Sequence, residues 1–150
     1  MKYLLTVLLT LISTSVFSGN IVPEEVLKNW GYAGQNNHKY MNSFCDPKLN
    51  NIAQISYQGI KSVLPTEINS NTYSRFTLIK EVYPSIKSAQ RRLTEVKSPT
   101  KKTSKHSKLC NLRQAMQFKK TVYIVHTDSS LFINKLTNIL TLYTKYAENP

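Results

Sequence analysis

Two stretches of the chain alternate apolar and polar positions with a period of two. Each is followed by a stretch in which apolar residues recur every three or four positions. The first alternation spans about 72–83 and predicts a strand. Phe76, Leu78 and Val82 share one face, interrupted by Lys80, and Tyr73, Ile79 and Tyr83 share the other. Pro84 breaks it, and Ser85 is placed to cap a helix to about Val96 with the inward stripe Ile86, Ala89, Leu93 and Val96. The second alternation, TVYIVHT at about 121–127, sets Val122 and Ile124 against Tyr123 and Val125, so both faces of this strand are expected to be covered. Asp128 then stands as cap of a long helix to about Tyr146. Leu131, Phe132, Leu136, Ile139, Leu140, Tyr143 and Ala147 form its wide apolar stripe.

The remaining segments carry weaker patterns. Ile21–Trp30 reads as a short helix, with Pro23 in its first turn, Glu24 and Glu25 at its positive end and Gly31 to stop it. Tyr32–Ser43 reads as a polar loop. Asp46-Pro47 is a helix start, and Leu49, Ile52, Ala53, Ser56, Ile60, Val63 and Leu64 follow helical spacing, although Ile55-Ser56-Tyr57 also suits a strand. Leu109–Phe118 is expected to be a short helix with Leu112, Ala115, Met116 and Phe118 inward. Together these elements predict a small α+β domain with strand–helix units and helices packed on one small sheet.

Met1–Ser18 holds one positive charge, Lys2, an apolar run from Tyr3 to Ile12, and a small-residue cleavage pattern before Gly19. This is the layout of a secretory signal peptide, and the apolar run is too short to span a bilayer. Residues 19–150 are then a single exported domain, ending in the periplasm or outside the cell. The two cysteines, Cys45 and Cys110, read as one disulfide in an exported chain. Closing a loop of that length stabilises by roughly 4 kcal/mol in the chain-entropy model. No Cys-x-x-Cys and no histidine at ligand spacing supports a metal site, and no cofactor motif is present.

Charge changes the picture most. The chain is formally +12, and Lys80–Lys120 holds twelve basic residues against Glu81 and Glu95, a net +10. Lys87, Arg91 and Arg92 are expected on the exposed side of the first long helix, with Glu95 pairing Arg91. Lys97–Lys108, KSPTKKTSKHSK, has five lysines, no acid and no apolar residue, and reads as a mobile basic loop. Lys87, Arg91, Arg92, Lys97, Lys101, Lys102, Lys105, Lys108 and Arg113 are the candidate binding residues. They suit an anionic partner: cell-wall glycan, nucleic acid or an acidic envelope protein.

The segment RFTLIKEVYPSIKSAQRRLTEVK resembles the later half of the sporulation-related repeat (SPOR) domain. Arg75, Tyr83, Ser85, Ala89 and Leu93 fit that family's outline of strand, aromatic-plus-small-residue turn and helix. Glu81-Val82 stands where the family has a glycine. The resemblance implies an exported, non-catalytic module that binds peptidoglycan glycan strands on an open sheet.

Catalytic chemistry has a narrower basis. His38, His106 and His126 in a basic exported chain admit a small nuclease with two histidines as acid and base. Only His126 stands on a firm element. It ends a strand just before a helix start, where backbone N–H groups at Ser129 and Ser130 are a possible anion site. An inhibitor or accessory subunit of another envelope protein is the remaining alternative.

Overall fold

The computed structural model describes residues 20–35, 53–67, 69–98 and 110–149. Five strands form one antiparallel sheet: β1 (Tyr32–Gln35), β2 (Gln54–Ser62), β3 (Arg75–Val82), β4 (Arg113–Phe118) and β5 (Thr121–His126). Their order is β1-β2-β3-β5-β4. Among the described residues three helices accompany them: α1 (Glu24–Asn29), α2 (Ile86–Lys97) and α3 (Ile133–Glu148), the last preceded by a 3-10 turn, Ser130–Phe132. The α+β class expected from the alternations is what the chain adopts.

The two alternating segments became the two central strands. Ile79 lies opposite Ile124 and Leu78 opposite Val125. Phe76, Leu78, Tyr123 and Val125 point to one face of the sheet, where α1 and α3 close the larger core with Val22, Leu27, Leu136, Ile139 and Tyr143. Ile79, Val122, Ile124 and Ala115 point to the other face, where α2 contributes Ala89 and Val96 and Tyr83 adds its ring. Fully burying one such side chain is worth roughly 1.5–3 kcal/mol, so the larger core dominates stability. Burial pushes the Tyr143 phenol well above its ordinary range, reinforced by the nearby Tyr123 and Tyr146.

Helix boundaries follow local chemistry. Ser85 caps α2 by accepting from the Ser88 N–H at 3.1 Å. Gly31 ends α1 with φ of 82°, a backbone region costly for other residues. Asp128 is not the cap of the last helical segment. Ser129 takes that place, its hydroxyl accepting from the Leu131 N–H at 3.3 Å, and Leu131 faces solvent at 59 % exposure. The 3-10 turn rotates the start of the segment, so its stripe begins at Phe132.

Three further expectations are overturned. Tyr32–Gln35, expected as the start of a polar loop, is strand β1, paired with β2. The helix expected after Asp46 is strand β2 over Gln54–Ser62, while Asp46 itself lies outside the described residues. Gln54, Ser56 and Gln58 alternate with Ile55 and Tyr57, but Gly59 breaks the pattern and Ile60 is apolar on the face of the polar residues. Gln58 is nonetheless buried, because its amide donates to the Val22 carbonyl at 3.0 Å and accepts from the Val22 N–H at 2.9 Å. The helix expected over Leu109–Phe118 is strand β4. Its Ala115 faces α2 while Gln114 and Met116 face α3, so neither face is clearly polar.

Candidate functional site

The basic segment folds around α2, and its charges divide. Lys87, Arg91 and Lys97 are on the solvent side of the helix. Arg91 pairs with Glu95 at 3.3 Å, one helical turn away, as the spacing predicts. Both side chains are largely exposed, so the pair tethers little charge.

Arg92 is the correction. Rather than joining that exposed row, it is 4 % exposed and points into the sheet. Its Nε donates to Glu81 Oε2 at 2.9 Å and its Nη2 to Glu81 Oε1 at 3.0 Å. The Tyr83 hydroxyl donates to the same Oε2 at 2.8 Å. Glu81 is fully buried. The cause was readable: Glu81 shares its strand face with Ile79 and Tyr83, and Arg92 lies three residues after Ala89 and four before Val96. A carboxylate on an inward strand position needs a cation from the covering helix.

Lys119 and Lys120 form the two-residue turn between β4 and β5, and both are exposed. Neither is among the candidate binding residues read from the sequence. The turn is tied beside the start of α2. The Tyr83 N–H donates to the Lys120 carbonyl at 2.9 Å, and the Gln117 side-chain amide donates to the carbonyls of Lys119, at 2.8 Å, and Ile86, at 3.4 Å. The backbone of the turn therefore lies beside the start of α2, whose solvent side carries Lys87 and Arg91, while the Lys119 ammonium sits 5.2 Å over the ring of Phe118, a residue of the α1 and α3 face.

At the other end of α2 an open cleft of about 490 Å³ separates the helix from β4. Val96, Lys97 and Ser98 form one wall, and Asn111, Arg113, Gln114 and Ala115 the other. Arg113 is half-buried there. Lys101, Lys102, Lys105 and Lys108 lie outside the described residues, as do His38, His106 and Cys45. Cys110 is buried, and no described cysteine is free.

His126 is 5 % exposed and sits in the sheet between Thr77 and Arg113. One donor of the neighbouring possible anion site already has a partner. The Ser129 N–H donates to Thr127 Oγ1 at 3.3 Å, and that hydroxyl donates to the Arg75 carbonyl at 2.9 Å. Ser130 is exposed in a single 3-10 turn. Among the described residues no group of three His, Cys, Asp or Glu side chains is placed to hold a metal. No helix among them is long and apolar enough to cross a membrane.

Comparison with protein-family models, curated proteins and solved structures finds no match for this chain.

Proposed function

We propose that the protein is an exported, non-catalytic binding protein that holds an anionic envelope polymer on the surface made by α2 and the β4–β5 turn. The observation that carries this reading is that the Lys119–Lys120 turn is tied beside the start of α2, so that four exposed cations from two separate elements lie close along the chain's basic segment. Export rests on the signal-like Met1–Ser18, which lies outside the described residues.

The SPOR-like outline of the first strand–helix unit implies glycan held on an open sheet. On this sheet α2 packs one face and α1 and α3 the other, so the polymer is assigned to the helix and turn instead. The buried pair of Arg92 and Glu81 serves this surface indirectly, by fixing which side of α2 turns outward.

The test is binding of the full chain to purified cell-wall sacculi across a salt series. The variant carries Lys87→Gln, Arg91→Gln, Lys119→Gln and Lys120→Gln. The expected result is at least a roughly tenfold loss of affinity at low salt and a shallower salt dependence. Unchanged affinity in the folded variant refutes the reading and leaves these cations as a solubility surface.

A further inference from the structure

Exposed apolar side chains are not spread evenly over the molecule. Among the described residues the large ones are Val63, Leu64, Ile86, Leu131 and Ile133. Ile86 stands at the start of α2, beside the β4–β5 turn. The other four share the opposite end of the sheet, where β2 and β5 finish and β1 and β3 begin. Single exposed hydrophobic residues are ordinary, but several at one end of a small domain mark a docking surface.

Hydrogen bonds hold them together. The Val63 N–H donates to the Gly31 carbonyl at 2.9 Å. The Ser62 hydroxyl accepts from the Ser74 N–H at 2.9 Å and donates to the Leu64 carbonyl at 2.9 Å. One residue on, the Arg75 carbonyl accepts from the Thr127 hydroxyl at 2.9 Å. That hydroxyl accepts from the Ser129 N–H, and the Ser129 hydroxyl from the Leu131 N–H, both at 3.3 Å. Beneath them the Phe76 ring meets Tyr32 and Phe132 edge-on, with centroids 5.8 and 6.4 Å away. The β2–β3 connection and the start of α3 are therefore neighbours. Their polar groups bond one another, while the side chains of Leu64 and Leu131 face water.

The rim is aromatic and cationic. Half-buried Trp30 ends α1 next to Gly31, and Lys61 sits 4.0 Å over the Tyr73 ring. Lys28, Arg75 and Lys135 are exposed there, and the two connections, 63–74 and 127–132, carry Glu67 and Asp128 as their only acids. Lys61 lies directly opposite Arg75. The Ser62 N–H donates to the Ser74 carbonyl at 2.9 Å, which makes Lys61 and Arg75 the closer, non-hydrogen-bonded kind of pair. Neither is ion-paired with a described residue. Like charges so placed repel until an anion lies over them.

We propose that this end of the molecule docks on an anionic lipid surface. Leu64 and Leu131 enter the headgroup region, Trp30 and Tyr73 lie at the interface, and Lys28, Lys61, Arg75 and Lys135 meet lipid phosphates. A second copy of this chain is the poorer occupant, because joining two such ends sets one positive rim against another. The patch shares no residue with the four cations of the polymer reading, so the inference stands or falls without it.

The experiment sediments the full chain with vesicles of equal parts phosphatidylglycerol and phosphatidylcholine, and with phosphatidylcholine alone. Saturable binding to the first is expected, roughly tenfold or more stronger than to the second, and weakening with salt. Trp30 is the chain's only tryptophan, so its emission reads the docking end directly. It should shift to the blue on binding and be quenched by lipids brominated in the upper acyl chain. Leu64→Ser with Leu131→Ser changes mostly exposed side chains, so the variant folds. It lowers vesicle affinity by roughly tenfold or more and leaves sacculus binding unchanged. Ile86→Ser, the same change at the opposite end, keeps vesicle affinity within about twofold. Equal binding to neutral and anionic vesicles, an equal loss in Ile86→Ser, or an unshifted Trp30 emission overturns the proposal. A concentration-dependent dimer that the leucine variant abolishes overturns it as well, by making a second copy the occupant.

Discussion

The two faces of the sheet are built on different principles. Under α1 and α3 the core is largely apolar, from Val22 and Leu27 to Leu136 and Ile139, with the Gln58 amide satisfied by the Val22 backbone, and it holds by area. Under α2 the core is smaller, and a buried ion pair stands inside it. The first arrangement is strong but tolerant of sliding. The second specifies one azimuth, because two parallel hydrogen bonds between a guanidinium and a carboxylate allow only one approach. Arg91 and Arg92 show the consequence: adjacent in sequence, one is a solvated surface charge and the other an interior strut. Counting cations in a basic segment overstates its free charge wherever an inward acid waits on the sheet.

Breaking the polar strut should have the largest effect. Arg92→Ala leaves the Glu81 carboxylate buried without its cation, and a loss of roughly 3–5 kcal/mol is expected in urea unfolding. Arg91→Ala in parallel should change stability by less than about 0.5 kcal/mol, since its pair is solvated. Equal losses for the two variants would erase the distinction between the residues. On the opposite face, Leu136→Ala removes a fully buried side chain from the apolar core. A loss of about 2–5 kcal/mol is expected, with no effect on which side of α2 faces solvent.

Smaller effects sharpen the contrast. Ser85→Ala removes the cap of α2 and should cost about 1 kcal/mol, read from the same transition. Tyr143 tests the apolar face by pH. Its hydroxyl is buried with no hydrogen-bond partner among the described residues, and burial holds its proton above the ordinary phenol range. The unfolded phenol ionises near pH 10, so the unfolded state binds fewer protons above that pH and stability falls as pH rises. Tyr143→Phe should be nearly neutral at pH 7 and flatten the alkaline decline. A decline of the same steepness in the variant would show that other groups govern it.

Much of the scaffold was legible in the chain. β3, α2, β5 and α3 follow from clean periodicities, and Ser85 announced its cap. The misread elements share a physical cause. Gln58 in β2 is a polar residue made acceptable indoors by two bonds to the Val22 backbone, a contact 36 residues away. β4 mixes small, polar and sulfur-bearing residues because each of its faces is only partly covered. Long-range pairing, which local pattern cannot encode, decided both. For the candidate surface, Lys87 and Arg91 were legible from helical spacing. Lys119 and Lys120 were hidden by the missed hairpin, whose turn places Lys119 at φ of 52°. The inward fate of Arg92 was written in the parity of Glu81.

The order of strands carries a consequence for how the molecule comes into being. β5 is last in the chain yet lies between β3 and β4, which meet each other only through it. A polypeptide emerging amino-end first, from a ribosome or a translocation pore, therefore cannot join β4 to the sheet of β1, β2 and β3 until residue 126 is free. Until then the apolar sides of β3 and of the β4 segment stay unsatisfied, and holding the chain unfolded in transit requires only that its last quarter be delayed.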